Sequence, residues 1–595
     1  MTQPDNVTVL IVGAGGCGLS TSIFLSDLGV DHLLIEQRGE TSRLPKAHYL
    51  SQRTMELYRQ HGVADAITAV GAPLDKFGKV VWQTSLTGRG PYDGKVLYEL
   101  DAFGAGSLSE RYAGDSPVDS TNLPQIRLEP ILRDLAERRA PGRVRYGCEL
   151  LDWVDEGSTI VARLRDADGV ESTVRAKYLI AADGGRTVGP RLKVKMEGWP
   201  KFHQVTTAHF SADLSRWQHD GALITFFINP ELAELSGAML VQMGPTWGKF
   251  SEEWGLHFTA AADDPARTRK DALLQRIRDV LKAPDLPITL HKVSSWTVDA
   301  VLAAKYRVGN VFLAGDAAHR MPPAAGLGLN TAIQDGHNLA WKIAAVESGR
   351  SQASLLDSYE SERRPIGRDN LDWALGILKN TELITENALG FGPQVPRLVR
   401  PAFFHVYFED SRRGATTRAR AGEVFRTHRV DCQAHDMELG LAYAEGALTP
   451  DGTTAPPRAP MGDIYHPTTR PGHRLPHAWL DKDGTRLSTL DLVPRDRPVL
   501  LVGPGGQPWL DAARELGADP ADLADPTAPF VVAVIGDGGA YREDGAWSRV
   551  REIADDGAIL VRPDHHVCWR SLSGNDNPAA ALRAAFANIG ASGWR

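Results

Sequence analysis

The glycines of Gly13-x-Gly15-x-x-Gly18 and the carboxylate of Glu36 have a spacing suited to holding a dinucleotide. In such a pattern Gly13 permits a tight turn, Gly15 lets the backbone approach a pyrophosphate, and Gly18 lets helix and strand pack closely. The helix that begins here offers free N–H groups and a positive dipole end to phosphate. Glu36 is placed to bond ribose hydroxyls and disfavours a 2′-phosphate, so the resident ligand is expected to be FAD or NAD, not NADP. The fingerprint does not choose between those two.

The flanking pattern supplies the elements that this spacing needs. Val7 to Val12 is a short, nearly all-apolar run, as expected of a strand buried on both faces of a parallel sheet. Leu19 to Leu28 has helical apolar spacing closed by Gly29, and His32 to Ile35 reads as a second buried strand. Gln125 to Glu137, the strand-like segments of 159–174 and YLIAADGG at 178–185 continue the α/β pattern. From about 194 to 298 the chain alternates and carries many aromatics, which predicts an antiparallel sheet in a separate substrate unit. Val311 to Ala314 returns to buried-strand character, and a long helix is expected over 331–348. The Pro- and Gly-rich stretch 449–476 reads as a linker, and the remainder as a small α/β unit.

Residues 307–342, RVGNVFLAGDAAHRMPPAAGLGLNTAIQDGHNLAWK, hold a second motif. Over about the first 370 residues the chain resembles the class A FAD-dependent aromatic hydroxylases. PKAHYLSQRTME at 45–56, Leu123-Pro124-Gln125 and 436–452 resemble the phenol hydroxylase branch, which includes 2,4-dichlorophenol and 2-hydroxybiphenyl monooxygenases. The resemblance implies non-covalent FAD, NADPH or NADH as transient reductant, and O2. Physically, Asp316 at a strand end can accept from ribityl hydroxyls, and Pro323 beside Pro322 makes a rigid wall for the isoalloxazine ring. The helix start Gly326, Gly328, Leu329, Asn330 suits the electron-rich edge of reduced flavin. Family motifs also put Gln37, Arg53, Gln125 and Asp183 at the cofactor. Ala325 stands where the family has glycine, and DGGRTVGPR at 183–191 departs from the usual DGxxSxVR.

The implied activity is hydroxylation of a phenolic ring at the ortho position through a C4a-hydroperoxyflavin. A phenol attacks best as phenolate, so a base beside its hydroxyl accelerates the step. His48 falls at the family position of that base, and Asp119 resembles an acidic residue next to substrate. The resemblance divides the α/β chain into a discontinuous Rossmann-like FAD-binding domain of the p-hydroxybenzoate hydroxylase type (1–75, 110–190 and 298–400) and an interleaved β-sheet substrate-binding domain (76–109 and 191–297). A helical region and linker (401–469) follow, then a thioredoxin-like domain (470–595). That last domain has only Cys568 and no CxxC, so it cannot run dithiol exchange and is expected to be structural, in a homodimer.

Bulk properties narrow the classes. With 595 residues, 42% of them hydrophobic, the chain can bury large cores without metal or disulfide staples. A net charge of −8 argues against nucleic acid or an anionic membrane as main partner. Four scattered cysteines, no basic residue before Arg38 and no apolar run of membrane-spanning length lead to the expectation of a cytoplasmic enzyme without a metal site. The rival readings are Baeyer–Villiger or other oxygenation of an aromatic polyketide, and a flavin oxidase or dehydrogenase.

Overall fold

The strand Asp5–Val12 is covered on both faces, as its unbroken apolar run requires. The computed structural model describes residues 5–229, 238–259, 264–390, 394–522, 525 and 527–590. In it this strand lies between two parallel neighbours, Glu171–Ala181 and His32–Glu36. Val311–Leu313 pairs in parallel with Glu171–Ala181, and Val144–Tyr146 with His32–Glu36. Arg307–Val308, Glu149–Asp155 and Ile160–Arg165 add antiparallel to complete eight strands. The register sets Val12 beside both Ala181 and Ile35, and Ala181 beside Leu313. The carboxyl ends of these strands therefore open on one edge, where ligands bind in such sheets.

The second eight-stranded sheet is mostly antiparallel and draws its strands from two stretches of chain. Its order is His319–Arg320, Thr289–Ala303, Met196–Ser211, Glu253–Phe258, Ala238–Gly244, Ala222–Phe227, Lys79–Gln83 and Val96–Asp101. Side chains alternate between its faces. Trp254, Leu256, Phe258, Phe210 and Leu240 pack on one face against Leu273, Ile277 and Val280 of helix Lys270–Leu281. On the other, Trp82, Val241 and Met243 pack around Tyr49, Phe103 and Phe404. The expected boundary between 297 and 298 falls inside Thr289–Ala303, and His319–Arg320 extends the same sheet.

In the C-terminal unit Val499–Val502, helix Gln507–Glu515 and Val531–Val534 form a parallel βαβ unit. The antiparallel hairpin Ala558–Val561 and Val567–Ser571 lies on the other side of Val499–Val502, and helix Pro578–Asn588 closes the unit. Trp509, Leu582 and Phe586 share a core with Trp341 and Ala345 of the long helix Leu327–Glu347. Fully buried ions also cross this junction. Arg562 makes two bonds to Glu362, at 2.7 and 2.8 Å, and Lys342 reaches the same carboxylate at 2.7 Å. Burial opposes ionisation of Glu362, but Arg562 and Lys342 outweigh it and hold the carboxyl at about 2. The stretch 449–476 has little regular structure, yet it is not a free tether. Asp451 pairs with Arg570 at 2.6 Å, and Arg474 is buried against Glu56. Among the described residues no helix is long and apolar enough to cross a membrane.

Candidate active site at the sheet edge

Gly13 and Gly18 are fixed by the fold itself. Gly13 has φ +107°, and a Cβ there would sit 2.3 Å from the Ala182 carbonyl oxygen. A Cβ at Gly18 would lie 1.9 Å from the Gly13 oxygen. Gly15 differs, because the nearest described atom to its Cβ position is Glu129 Oε1, at 3.8 Å. The space left by its missing side chain is free for a ligand. Gly15 caps helix Gly16–Asp27 without a side-chain hydrogen bond, and no acidic residue stands in the first turn. The leading N–H groups are therefore available to phosphate.

Glu36 ends the neighbouring strand with its carboxylate fixed by the Ala14 N–H at 3.0 Å and the Arg38 N–H and Nε at 2.9 Å each. Burial opposes its ionisation, but the Arg38 side chain and the two backbone bonds prevail and hold it below the usual carboxylate range. Gln37 is exposed beside it. Gln125 begins helix Gln125–Arg139 and donates from Nε2 to Glu129 Oε1 at 2.5 Å, which brings it to the Gly15 opening. Arg53 is spent elsewhere. Its guanidinium is 2% exposed and bonds Glu56, His565 Nδ1 and the Asp564 carbonyl, tying the first domain to the C-terminal unit.

At the next two strand ends, Asp183 receives the N–H groups of Gly185, Thr187 and Val188, so its carboxylate shapes the turn. Asp316 is exposed on the short Gly315–Ala317 turn, free to accept from a ligand. The turn is pinned from below by buried Asp335, which receives Gly315 N–H at 3.1 Å, His319 at 2.8 Å and Arg363 at 2.8 Å. Pro323 is exposed, whereas Gly326 and Gly328 are half-buried. Gly326 has φ +62°, and a Cβ there would meet the Tyr49 ring at 2.8 Å. Leu329 packs beneath the fingerprint loop, 2.7 Å from where a Gly16 Cβ would lie. Asn330 ties the two halves of the site together. It donates to Gly326 O at 2.7 Å and Tyr49 O at 3.0 Å, and accepts from Ser51 N–H at 3.0 Å.

That tie places His48 beside the flavin loop. Strands Tyr49–Leu50 and Thr121–Asn122 form an antiparallel ribbon, with Leu123 N–H bonding His48 O at 2.7 Å. Across it His48 Nδ1 lies 2.7 Å from Asn122 Oδ1. An amide oxygen only accepts, so Nδ1 carries the proton and Nε2 keeps its lone pair. Burial holds the imidazole below its ordinary pKa despite the Asn122 bond, so it is neutral and basic at pH 7. Asp119 lies three residues before Asn122, exposed, with its carboxyl raised by partial desolvation.

Sequence reasoning missed Asn122, Glu129, Asp431 and Glu438. Asn122 and Glu129 adjoin the Leu123-Pro124-Gln125 motif, and Glu438 lies inside 436–452, so these motifs pointed to the segments but not to the side chains. Ala325, at φ +50°, adopts the left-handed backbone that its usual glycine would favour, and its N–H bonds Asp431 at 2.6 Å. Burial raises the Asp431 carboxyl to about 6, against that one backbone bond. Glu438 accepts from the Tyr49 hydroxyl at 2.7 Å, and burial pushes its carboxyl up to about 8.

The open Gly15 cradle, the uncapped helix, Glu36, the loop 322–330 and Asp316, which has no side-chain partner among the described residues, all lie on one sheet edge and fit FAD, which makes the molecule a flavoprotein of the two-sheet hydroxylase type. Residues 6–374 match the FAD binding domain family and 468–591 the aromatic-ring hydroxylase C-terminal family. The chain belongs to the FAD-dependent aromatic hydroxylases. It is 32% identical to 2,4-dichlorophenol 6-monooxygenase of Delftia acidovorans, over 98% of this chain and 97% of that one. It is 33% identical to tetracenomycin A2 monooxygenase-dioxygenase of Streptomyces glaucescens, over 98% and 97%. Among solved structures, the flavin-dependent monooxygenase PieE with FAD and substrate superposes with TM-score 0.89 at 35% identity, covering 99% of each chain. Aklavinone-11 hydroxylase with FAD and aklavinone gives 0.77 at 29%, covering 99% of this chain and 100% of that one.

Proposed function

We propose that the protein hydroxylates a phenol at the position ortho to its hydroxyl, with NAD(P)H and O2 as co-substrates. One oxygen atom enters the ring to give a catechol-type product, and the other leaves as water while NAD(P)H is oxidised. The observation that carries this reading is the His48–Asn122 pair beside the flavin loop. Bound FAD, once reduced, supplies the activation of O2, and the protein supplies position and proton handling.

The geometry supports a role for several of the chain's own residues. The Gly15 opening and the helix behind it would hold the pyrophosphate, Asp316 would accept from the ribityl hydroxyls, and the N–H groups after Gly326 would serve the electron-rich part of the ring. His48 Nε2 takes the phenolic proton as the ring is attacked. Phenols ionise near pH 10, so little phenolate exists at neutral pH without such help. Asp119 is the second candidate at the substrate. The C-terminal unit is read as thioredoxin-like from its βαβ-plus-hairpin order. Buried Cys568, whose thiol burial raises to about 12, gives it no dithiol chemistry.

The tetracenomycin and aklavinone relatives favour a second reading, in which the phenol is one ring of a fused polycyclic aromatic. The test is a screen of simple and polycyclic phenols for substrate-stimulated NAD(P)H oxidation, with mass spectrometry of products. A product heavier by one oxygen, labelled from 18O2, supports the reading. Flavin reduction with peroxide release and no oxygenated product from any phenol contradicts it.

A further inference from the structure

The face of the second sheet turned toward the FAD-binding half carries a polar device that the proposed chemistry does not use. Cross-strand pairing sets Ser294, Thr207, His257, Met239, Phe226, Trp82 and Tyr98 in one row across it. Side chains in such a row share a face. The row's apolar end packs with Tyr49, the residue after His48, and on the same face, four residues before His257 in its strand, Glu253 bonds Arg127 of helix Gln125–Arg139 at 2.9 Å. His257 therefore faces the flavin-binding half and not helix Lys270–Leu281, which covers the opposite side.

The ring of His257 is fixed in one tautomer. Trp296 Nε1 donates to Thr207 Oγ1 at 3.1 Å, and Thr207 Oγ1 lies 2.9 Å from His257 Nδ1. The indole N–H takes one of the two lone pairs of the Thr207 hydroxyl, and among the described residues His257 Nδ1 is the one acceptor within hydrogen-bond reach of that hydroxyl's own proton, which therefore goes to Nδ1. Nε2 of His257 is left carrying hydrogen, the reverse of His48. A Cβ at Gly255 would come within 3.4 Å of Nε2 and 2.5 Å of Met243 Cε, so the flexible Met243 methyl borders this edge, and among the described residues Nε2 has no hydrogen-bond partner. Burial, with the nearby His48, lowers His257 to about 4, so it stays neutral and keeps that single donor.

We propose that His257 is a second substrate anchor, donating from Nε2–H to an oxygen on the same aromatic molecule whose hydroxyl His48 deprotonates. Thr207 is its positioning residue. The enzyme then selects phenols that carry a carbonyl or comparable oxygen acceptor over phenols bearing an alkyl group of the same size. This rests on the phenol reading and specifies its substrate class.

The experiment compares the three isomeric hydroxyacetophenones with the three matching ethylphenols, which are close in size. Acetyl adds the acceptor oxygen and also acidifies the phenol, and the change of the ratio in the variants isolates the oxygen. Dissociation constants come from perturbation of the flavin absorbance of FAD-loaded protein, and turnover from product analysis. For at least one isomer the wild type should bind the ketone about tenfold tighter, the scale of one net hydrogen bond. His257→Leu and Thr207→Val should bring that ratio to about one, and Thr207→Ser should keep it. FAD content reports whether each variant folds, and the Val and Ser pair carries the test if His257→Leu does not. A ratio near one in the wild type, or one unchanged in Thr207→Val and His257→Leu, overturns the anchor while leaving the phenol reading intact. Failure of the wild type to oxygenate these six phenols or any other phenol of the wider screen, simple or polycyclic, overturns both.

Discussion

His48 Nδ1 and Asn122 Oδ1 lie 2.7 Å apart although 74 residues separate them in the chain. The two-stranded ribbon at 49–50 and 121–122 makes this pairing, and the bond decides which imidazole nitrogen is the base. Asn122→Ala should keep FAD but lower the rate of hydroxylation by about fivefold to tenfold, the worth of one orienting hydrogen bond. Asn122→Asp adds a negative charge that raises the imidazole pKa, so its activity profile should shift to higher pH. Steady-state rates with coupled product measured from pH 6 to 9 check both. An Asn122→Asp profile that overlays the wild type contradicts the assignment.

Gly15 and Gly18 should respond oppositely to a side chain. Gly15→Val projects into open space, so the protein should fold and lose FAD. Gly18→Val collides with the Gly13 carbonyl, so the protein should lose stability itself. Asp316→Ala should weaken FAD by about 1.5–3 kcal/mol, because ribityl hydroxyls lose a charged acceptor. Thermal midpoints of the apoproteins and FAD titrations separate the cases.

The sheet edge was legible because its logic is local. A glycine fingerprint, an apolar strand and a carboxylate on the next strand appear in order along the chain, and the parallel register then aligns them with Asp183 and Asp316. What was not legible depends on contacts between distant segments. Arg53 matches a cofactor position by motif, but buried Glu56 and the Asp564 carbonyl claim its guanidinium. Asn122 has no motif of its own until the ribbon brings it to His48. The stretch 449–476 looks like a linker by composition, and only Arg474 meeting Glu56 shows that it is held.

Glu438 gives the fold a pH dependence with a defined sign. Its carboxyl sits at about 8 in the folded protein against 4.5 when unperturbed, through burial. The folded chain thus keeps a proton that the unfolded chain releases. The stabilisation is complete below about pH 4.5 and lost as pH rises through about 8. Glu438→Gln is neutral throughout, so its stability relative to wild type should increase between pH 5 and 9. Denaturation midpoints at pH 5, 7 and 9 test this, and parallel trends in the two proteins would count against it.

The ions between the flavin domain and the C-terminal unit are fully buried, so removing one partner leaves the others uncompensated. Glu362→Ala should cost about 3–5 kcal/mol by stranding Lys342 and leaving Arg562 only Asp564 as its carboxylate partner. Cys568→Ser keeps a donor for the Leu560 carbonyl and should leave turnover unchanged. Denaturant melts and activity assays measure the two effects. A mild Glu362→Ala would show that solvent reaches the junction.

Whether His48 is the base for the phenol is read most directly from product coupling in His48→Ala. The variant should bind FAD and oxidise NAD(P)H as the wild type does, yet release hydrogen peroxide in place of catechol-type product. The loss in hydroxylation should be about 100- to 10,000-fold. High pH, or a phenol of low pKa that supplies its own phenolate, should restore product. Hydroxylation of an ordinary phenol by His48→Ala at wild-type rate and coupling would contradict the account and move the base to Asp119.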